Sequence, residues 1–352
     1  MTLSPPSYQP QMDGLRAVAI FLILVHHFHG PLHELYEFGP LGVRFFFVLS
    51  AFLVTRGFLK AKARCASGKT TATGEFIEFE KRRMIRIVPP YYVFLGIGAL
   101  LAIVPVRETL AWTLPFLTNF YMAHLGDFPP VISHFWYIAV QEQIYLVWPW
   151  LILLVPAARL RPMFVGLIVL TVAFRLGCIA TGASEFVRWF NPIGSLDSFA
   201  IGGILACLSV ANPWLLERSS IRLWTGFLAL GAIWTSHLLR SMPLENPWSI
   251  GSETLEALGI AWIVACSVGG FRGLPGKFLA SPPLVYLGKI SYGIYVYHVL
   301  ISVLFDSFSA SHGLALSLNL RFAILTVLTV LAAAISWHFL ETPLTKIRQR
   351  AG

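Results

Sequence analysis

Ten apolar stretches run through this chain, each about as long as a lipid bilayer is thick. They lie near residues 13–30, 40–59, 87–105, 135–157, 163–181, 194–211, 221–240, 254–270, 284–305 and 319–340. A helix needs roughly 20 mostly apolar residues to cross a hydrocarbon core about 30 Å thick. The pattern predicts an all-α integral membrane protein with about ten transmembrane helices. Of the 352 residues, 56% are hydrophobic and only 12% are charged, whereas soluble domains carry about one quarter charged residues.

Charge sets the orientation. With ten spans and an inside N-terminus, a cytoplasmic loop at 60–86 holds Lys60, Lys62, Arg64, Lys69, Lys81, Arg82, Arg83 and Arg86. Arg159, Arg161, Arg218, Arg272, Lys277, Lys346, Arg348 and Arg350 fall on the same side, and the outer loops hold little beyond Arg107 and Arg188. The stretch 109–123, "TLAWTLPFLTNFYMA", is short and contains Pro115. Counting it as an eleventh span would move the tail's cations outside. The positive-inside rule therefore favours ten spans with both termini cytoplasmic, and 109–123 re-entrant or interfacial. The net charge of +9 is then a topology signal, and a nucleic-acid partner is not expected.

Residues 1–12 carry no Lys or Arg, so 13–30 reads as a retained span and not a signal peptide. Cys65, Cys178, Cys207 and Cys266 form no C-x-x-C pair, which indicates neither a disulfide framework nor a cysteine metal site. No repeat or long linker is visible, and 60–80 is the only flexible-looking insertion. One helical domain over 1–352 is expected.

Polar residues within the apolar stretches are the candidates for function, because ionisable groups at membrane depth are costly and usually face a cavity or partner. In "DGLRAVAIFLILVHHFHG" (13–30), Arg16 and His27 are eleven residues apart. On an ideal helix that is about 16 Å along the axis and about 20° around it, so both lie on one face. Snorkelling by Arg16 and an interhelical hydrogen bond from His27 would be the structural alternative. In "HFWYIAVQEQIYLVWPW" (134–150), Glu142 lies beyond the capping turn between Gln141 and Gln143, as expected for a polar cavity. In "GKISYGIYVYHVLI" (288–301), Ser291, Tyr295 and His298 fall along one flank, lining a cavity or bonding between helices. The cluster "EKRRMIRIVPPYY" (80–92) places Arg83 and Arg86 before a proline pair. It marks topology and also suits phosphate, which the planar guanidinium pairs well. Asp197 in "GSLDSFAIGG" is either a further cavity acid or an acid near a helix N-terminus. There is no H-E-x-x-H, P-loop or G-x-S-x-G, and no spacing that points to a metal.

Together these pieces resemble the membrane acyltransferase-3 family, multi-pass O-acyltransferases that modify bacterial surface glycans. "DGLRAVAIFLILVHHF" is similar to that family's first-helix signature, with Arg16 and His27 in its Arg and His positions. "GVRFFFVLSAFLVT" resembles the second-helix motif, with Ala51 where Gly is usual. "RRMIRIVPPYY", "ISYGIYVYHVLI" and "ETPL" match further blocks. "FWYIAVQEQIYLVWP" departs from its block at Tyr137 and Gln141, while Glu142 and Gln143 match.

The resemblance implies a bacterial cytoplasmic-membrane enzyme with no bound cofactor or metal. Its co-substrate would be cytoplasmic acyl-CoA, acetyl-CoA being the family's common choice. Its acceptor would be a glycan or lipid-linked sugar outside. It implies that His27 is catalytic, as base or acyl carrier, and that Arg16 is essential. Glu142 would orient His27 or meet the sugar, and Arg83 and Arg86 would hold donor phosphates. His298, Tyr295 and Asp197 would line the acceptor cavity. Some members carry a C-terminal esterase-like domain. Here only twelve residues follow the last stretch, so none is expected. A transporter or flippase of lipid-linked sugars would use similar polar residues without acyl-transfer chemistry, and a structural envelope component would use them only to bridge helices.

Overall fold

The computed structural model describes residues 8–30, 36–217, 219–243 and 246–351. Among these residues it contains helices and no strands. Ten helices have 16 residues or more: α1 (Pro10–His27), α2 (Phe38–Ala66), α3 (Ala72–Leu100), α4 (Phe135–Leu154), α5 (Ala157–Ala180), α6 (Leu196–Ala211), α7 (Ser219–Arg240), α8 (Gly251–Val268), α9 (Ser291–Ser311) and α10 (Leu318–Ser336). Each coincides with one of the apolar stretches. Seven are long and apolar enough to cross a membrane, the make-up of a multi-pass membrane protein. The others are more polar: α1 carries Asp13 and Arg16, the first half of α3 is rich in charge, and α7 includes Arg222 and Arg240.

Several boundaries differ from the expectation. The 60–86 segment is not a loop. α2 runs on to Ala66 and α3 begins at Ala72, leaving a turn of five residues. The Thr71 side chain caps α3 by accepting from the Gly74 N–H at 3.0 Å, and Glu78 pairs with Arg82 one turn on at 3.2 Å. Arg64 pairs with Glu75 across the turn at 2.5 Å, and this charge-assisted hydrogen bond holds the Glu75 carboxyl below its usual range. Charged residues with good helix propensity thus extend the helix past its apolar half.

The stretch 284–305 is broken at Ile290 into a short helix, Pro282–Lys289, and α9. The last helix does not stop where its apolar stretch does, at residue 340. It passes through a wide turn, Trp337–Glu341, into Thr342–Ala351. Residues 104–125 form three short helices, Val104–Glu108, Leu110–Thr113 and Thr118–Leu125, none long enough to span. Arg218 lies outside the described residues.

α2 is central, packing against α1, α4, α6 and α8. Its closest approach is to α6, where a methyl added at Gly202 would collide with the Val48 carbonyl and lie 2.9 Å from the Ala51 side chain. Small residues at this crossing let the backbones meet, as is common between membrane helices. α1 rests equally closely on Pro282–Lys289, where a side chain on Gly288 would collide with the Asp13 carbonyl.

Candidate active site

His27 is the last residue of α1. Pro10 opens that helix and Asp13 lies in its first turn, both favourable at an N-terminus. The helix closes when the Phe28 N–H bonds the Leu24 carbonyl (2.9 Å) and the Gly30 N–H bonds that of Val25 (2.8 Å), with His29 left-handed at φ 50°. Phe28 is fully buried and anchors the turn, whereas His27 is exposed to a cavity.

That cavity has a volume of about 480 Å³. It lies at the end of the bundle where α1 and α7 finish and where α2, α4, α6 and α8 begin. His26 and His27 contribute to it from α1, Arg44 from α2, and Trp136 from α4; Trp189 reaches it from the Glu185–Phe190 helix. Buried ion pairs fix its wall. Glu256 receives Arg44 at 2.8 Å, Arg240 at 2.8 Å and the Tyr36 hydroxyl at 2.7 Å. Arg175 bridges Asp197 and Glu253, each at 3.0 Å.

A second, much smaller cavity of about 70 Å³ is lined by Arg16, Ser50, Gln141, Glu142 and Ser291. Tyr295 lines both cavities, and its hydroxyl donates to the His134 carbonyl at 2.5 Å.

The structure therefore divides the residues expected to act together. Arg16 and His27 lie on one helix but open on different cavities, with Tyr295 common to both. Glu142 does not approach His27 as an orienting partner. It accepts from Arg83 at 2.6 Å on the inner cavity's wall. Arg83 is buried, pairs also with Glu80 at 3.1 Å, and packs over the Tyr145 and Phe79 rings. With both terminal nitrogens engaged, Arg83 is not placed to receive a phosphate. Arg86, half-buried, donates to the Lys289 carbonyl at 3.4 Å. Ser291 faces the small cavity, while His298 is sealed behind His27, their ring centroids 4.8 Å apart. Asp197 is fully buried, accepts from Ser198 and Thr254 and pairs with Arg175. It braces the wall of the large cavity and does not line it.

The three polar residues of α4 diverge because successive helical positions turn by about 100°. Gln141 donates to the Tyr145 hydroxyl at 2.9 Å. Gln143 exchanges hydrogen bonds with Asn119 at 2.9 and 3.1 Å and donates to the Phe116 carbonyl at 2.9 Å, pinning the short-helix segment against the bundle.

Sequence reasoning missed several residues here. His134 packs on His298 with centroids 4.9 Å apart. Arg175 stands alone in the apolar run 168–180, and Glu253 and Glu256 open the run 252–262. An arginine in one apolar stretch and acids in another were the available signal for a buried pair. Among the described residues no group of three or more His, Cys, Asp or Glu is arranged to hold a metal ion.

Comparison with known proteins agrees with this picture. Over 367 aligned residues the chain is 27% identical to O-acetyltransferase OatA of Staphylococcus aureus strain NCTC 8325 / PS 47, an alignment covering 97% of this chain. OatA of strains COL and MRSA252 gives the same figures. The chain spans 58% of the length of these curated relatives. No solved structure matches it significantly. The sequence model of a family described as an acyltransferase domain matches residues 9–338, and by that match the chain belongs to the acyltransferase-3 family.

Proposed function

We propose that this chain is a membrane O-acyltransferase that moves a short acyl group, acetyl in the first instance, from acyl-CoA to a hydroxyl of a glycan or glycosylated acceptor. The observation that carries the reading is the pair of unequal cavities meeting at Tyr295, with His27 exposed on the large one and Arg16 on the small one. The similarity to O-acetyltransferases supports the chemistry. In this reading all ten long helices span the cytoplasmic membrane of a bacterium, both termini are cytoplasmic, and the large cavity faces outward.

Transfer proceeds through one general base. The acceptor sugar enters the large cavity, whose volume suits a small ligand, and stacks on Trp136 or Trp189. His27 removes the hydroxyl proton as the oxygen attacks the thioester carbonyl. The tetrahedral intermediate collapses with cleavage of the carbon–sulfur bond, and the coenzyme thiolate recovers the proton from His27. Donors aimed at the developing oxyanion lower that barrier. Arg16, in the small cavity and paired with Asp13 at 3.7 Å, contacts the donor on the cytoplasmic side of His27 and orients its thioester end toward the base. Arg86 holds a donor phosphate at the basic end of the bundle. Arg83 holds the Glu142 side chain in place on the wall of the small cavity.

Mass spectrometry of cell-surface glycans from strains with and without the protein tests this function. The expected result is a shift of one acyl mass, lost with the protein and restored by re-expression. Identical glycan profiles, with no acyl-CoA turnover by the purified chain, would favour a transporter or a structural component instead.

A further inference from the structure

Behind His27 lies a second imidazole whose hydrogen bonding is incomplete in an informative way. His298 is fully buried. Its Nδ1 lies 2.6 Å from the Tyr295 carbonyl oxygen. A carbonyl only accepts, so Nδ1 carries the proton and Nε2 of the neutral ring is a lone-pair acceptor. That Nε2 is buried without a hydrogen-bond partner, a state that native proteins rarely leave uncorrected.

The neighbouring rings show which donor fits. Phe28, 6.2 Å away by centroid, has none. The Tyr295 hydroxyl is given to the His134 carbonyl. His134 spends its Nε2–H on the Val296 carbonyl at 3.2 Å, which leaves its own buried Nδ1 as another bare acceptor. Two lone pairs do not bond one another. The remaining ring N–H in contact is that of His27, with centroids 4.8 Å apart and planes inclined at 64°.

We propose that His298 is the positioning residue of the acyl transfer: its Nε2 accepts the ring N–H of His27, fixing the His27 tautomer so that the other nitrogen presents its lone pair to the acceptor hydroxyl. A modest rotation of the exposed His27 ring completes the bond when substrate fills the large cavity. When His27 takes the hydroxyl proton, both of its nitrogens carry hydrogen, and His298 continues to hold the inner one. A neutral partner suits this depth, because a buried carboxylate would need further partners of its own. The backbone carbonyls of Tyr295 and Val296 orient both supporting rings, so the arrangement belongs to the α9 scaffold and not to a mobile loop.

The proposal rests on the reading of His27 as the base, and the experiment separates the two. Steady-state acyl transfer is measured on purified, monodisperse protein for His27→Ala, His298→Leu and His298→Gln. Gln keeps an acceptor oxygen near the Nε2 position, and Leu removes it. The expected result for His298→Leu is a fall in kcat of about 100-fold, the low end of general-base contributions, with KM for both substrates within about threefold of wild type. His298→Gln should recover at least tenfold of that loss. Wild-type kcat in His298→Leu while His27→Ala is dead would overturn the positioning role alone. A matching loss in both His298 variants, with raised KM or poor recovery of folded protein, would also overturn it, making His298 a packing residue. Retained transfer in His27→Ala would remove the reading beneath it.

Discussion

The Arg83–Glu142 pair gives a stability test with an asymmetric outcome. Arg83 lies between two carboxylates, Glu142 at 2.6 Å and Glu80 at 3.1 Å, and the side chains are 9%, 8% and 18% exposed respectively. Replacing Arg83 by Leu strands two partly desolvated acids with no cation. Removing one member of a buried ion pair typically costs about 3–5 kcal/mol. Replacing Glu142 by Gln is milder, because Arg83 keeps Glu80 and a neutral hydrogen bond replaces a charged one. That loss is about 1.5–3 kcal/mol at most. The double replacement Arg83→Leu/Glu142→Gln leaves only Glu80, the more exposed of the two acids, without a cation, so it should be less destabilising than the sum of its single replacements by at least about 1 kcal/mol. The assay is a double-mutant cycle by denaturant titration in mild detergent, followed by tryptophan fluorescence. Glu142→Gln proving as damaging as Arg83→Leu, or strict additivity in the cycle, would refute the reasoning.

Three further outcomes follow from the geometry. Arg16→Ala should lower acyl-CoA turnover by about 100-fold, as for misplacement of a reacting group, with Arg16→Lys intermediate; equal rates would show that the small cavity plays no part. Trp136→Ala and Trp189→Ala should raise the acceptor KM by up to about tenfold, the equivalent of one aromatic contact, and leave the donor KM unchanged. A change in the donor KM instead would place the sugar elsewhere. Gly288→Ala should destabilise the protein by about 1–3 kcal/mol through overpacking, since the new methyl meets the Asp13 carbonyl. An unchanged thermal midpoint would mean that α1 and the Pro282–Lys289 helix separate freely.

Hydrophobic length made the helices legible: every long helix falls on an apolar stretch, because burying backbone at that depth leaves few alternatives. The start of α3 was hidden for the same reason. Its first half is charged and helical through capping and side-chain pairs, signals that an apolar scan passes over. Arg16, Glu142 and His298 stood out as polar residues in greasy surroundings, and all three are partly or fully buried among helices. Their partners were not legible. Periodicity puts Glu142 on a face of α4, but only the packing of α3 against α4 reveals that Arg83 answers it. The spacing of Arg16 and His27 implies a shared face of one helix, yet the two residues open on different cavities, with Tyr295 of α9 lining both. His134 escaped notice because it precedes its helix, where a histidine usually signals nothing more than a loop.

The account stands on the imidazole at the end of α1. Its most direct test is the rate at which membranes containing wild-type or His27→Ala protein, at matched amounts, pass a labelled acetyl group from acetyl-CoA to extracted surface glycan. A drop of at least about 100-fold, in the range that general-base catalysis supplies, is the predicted result. Equal labelling by both proteins would contradict it.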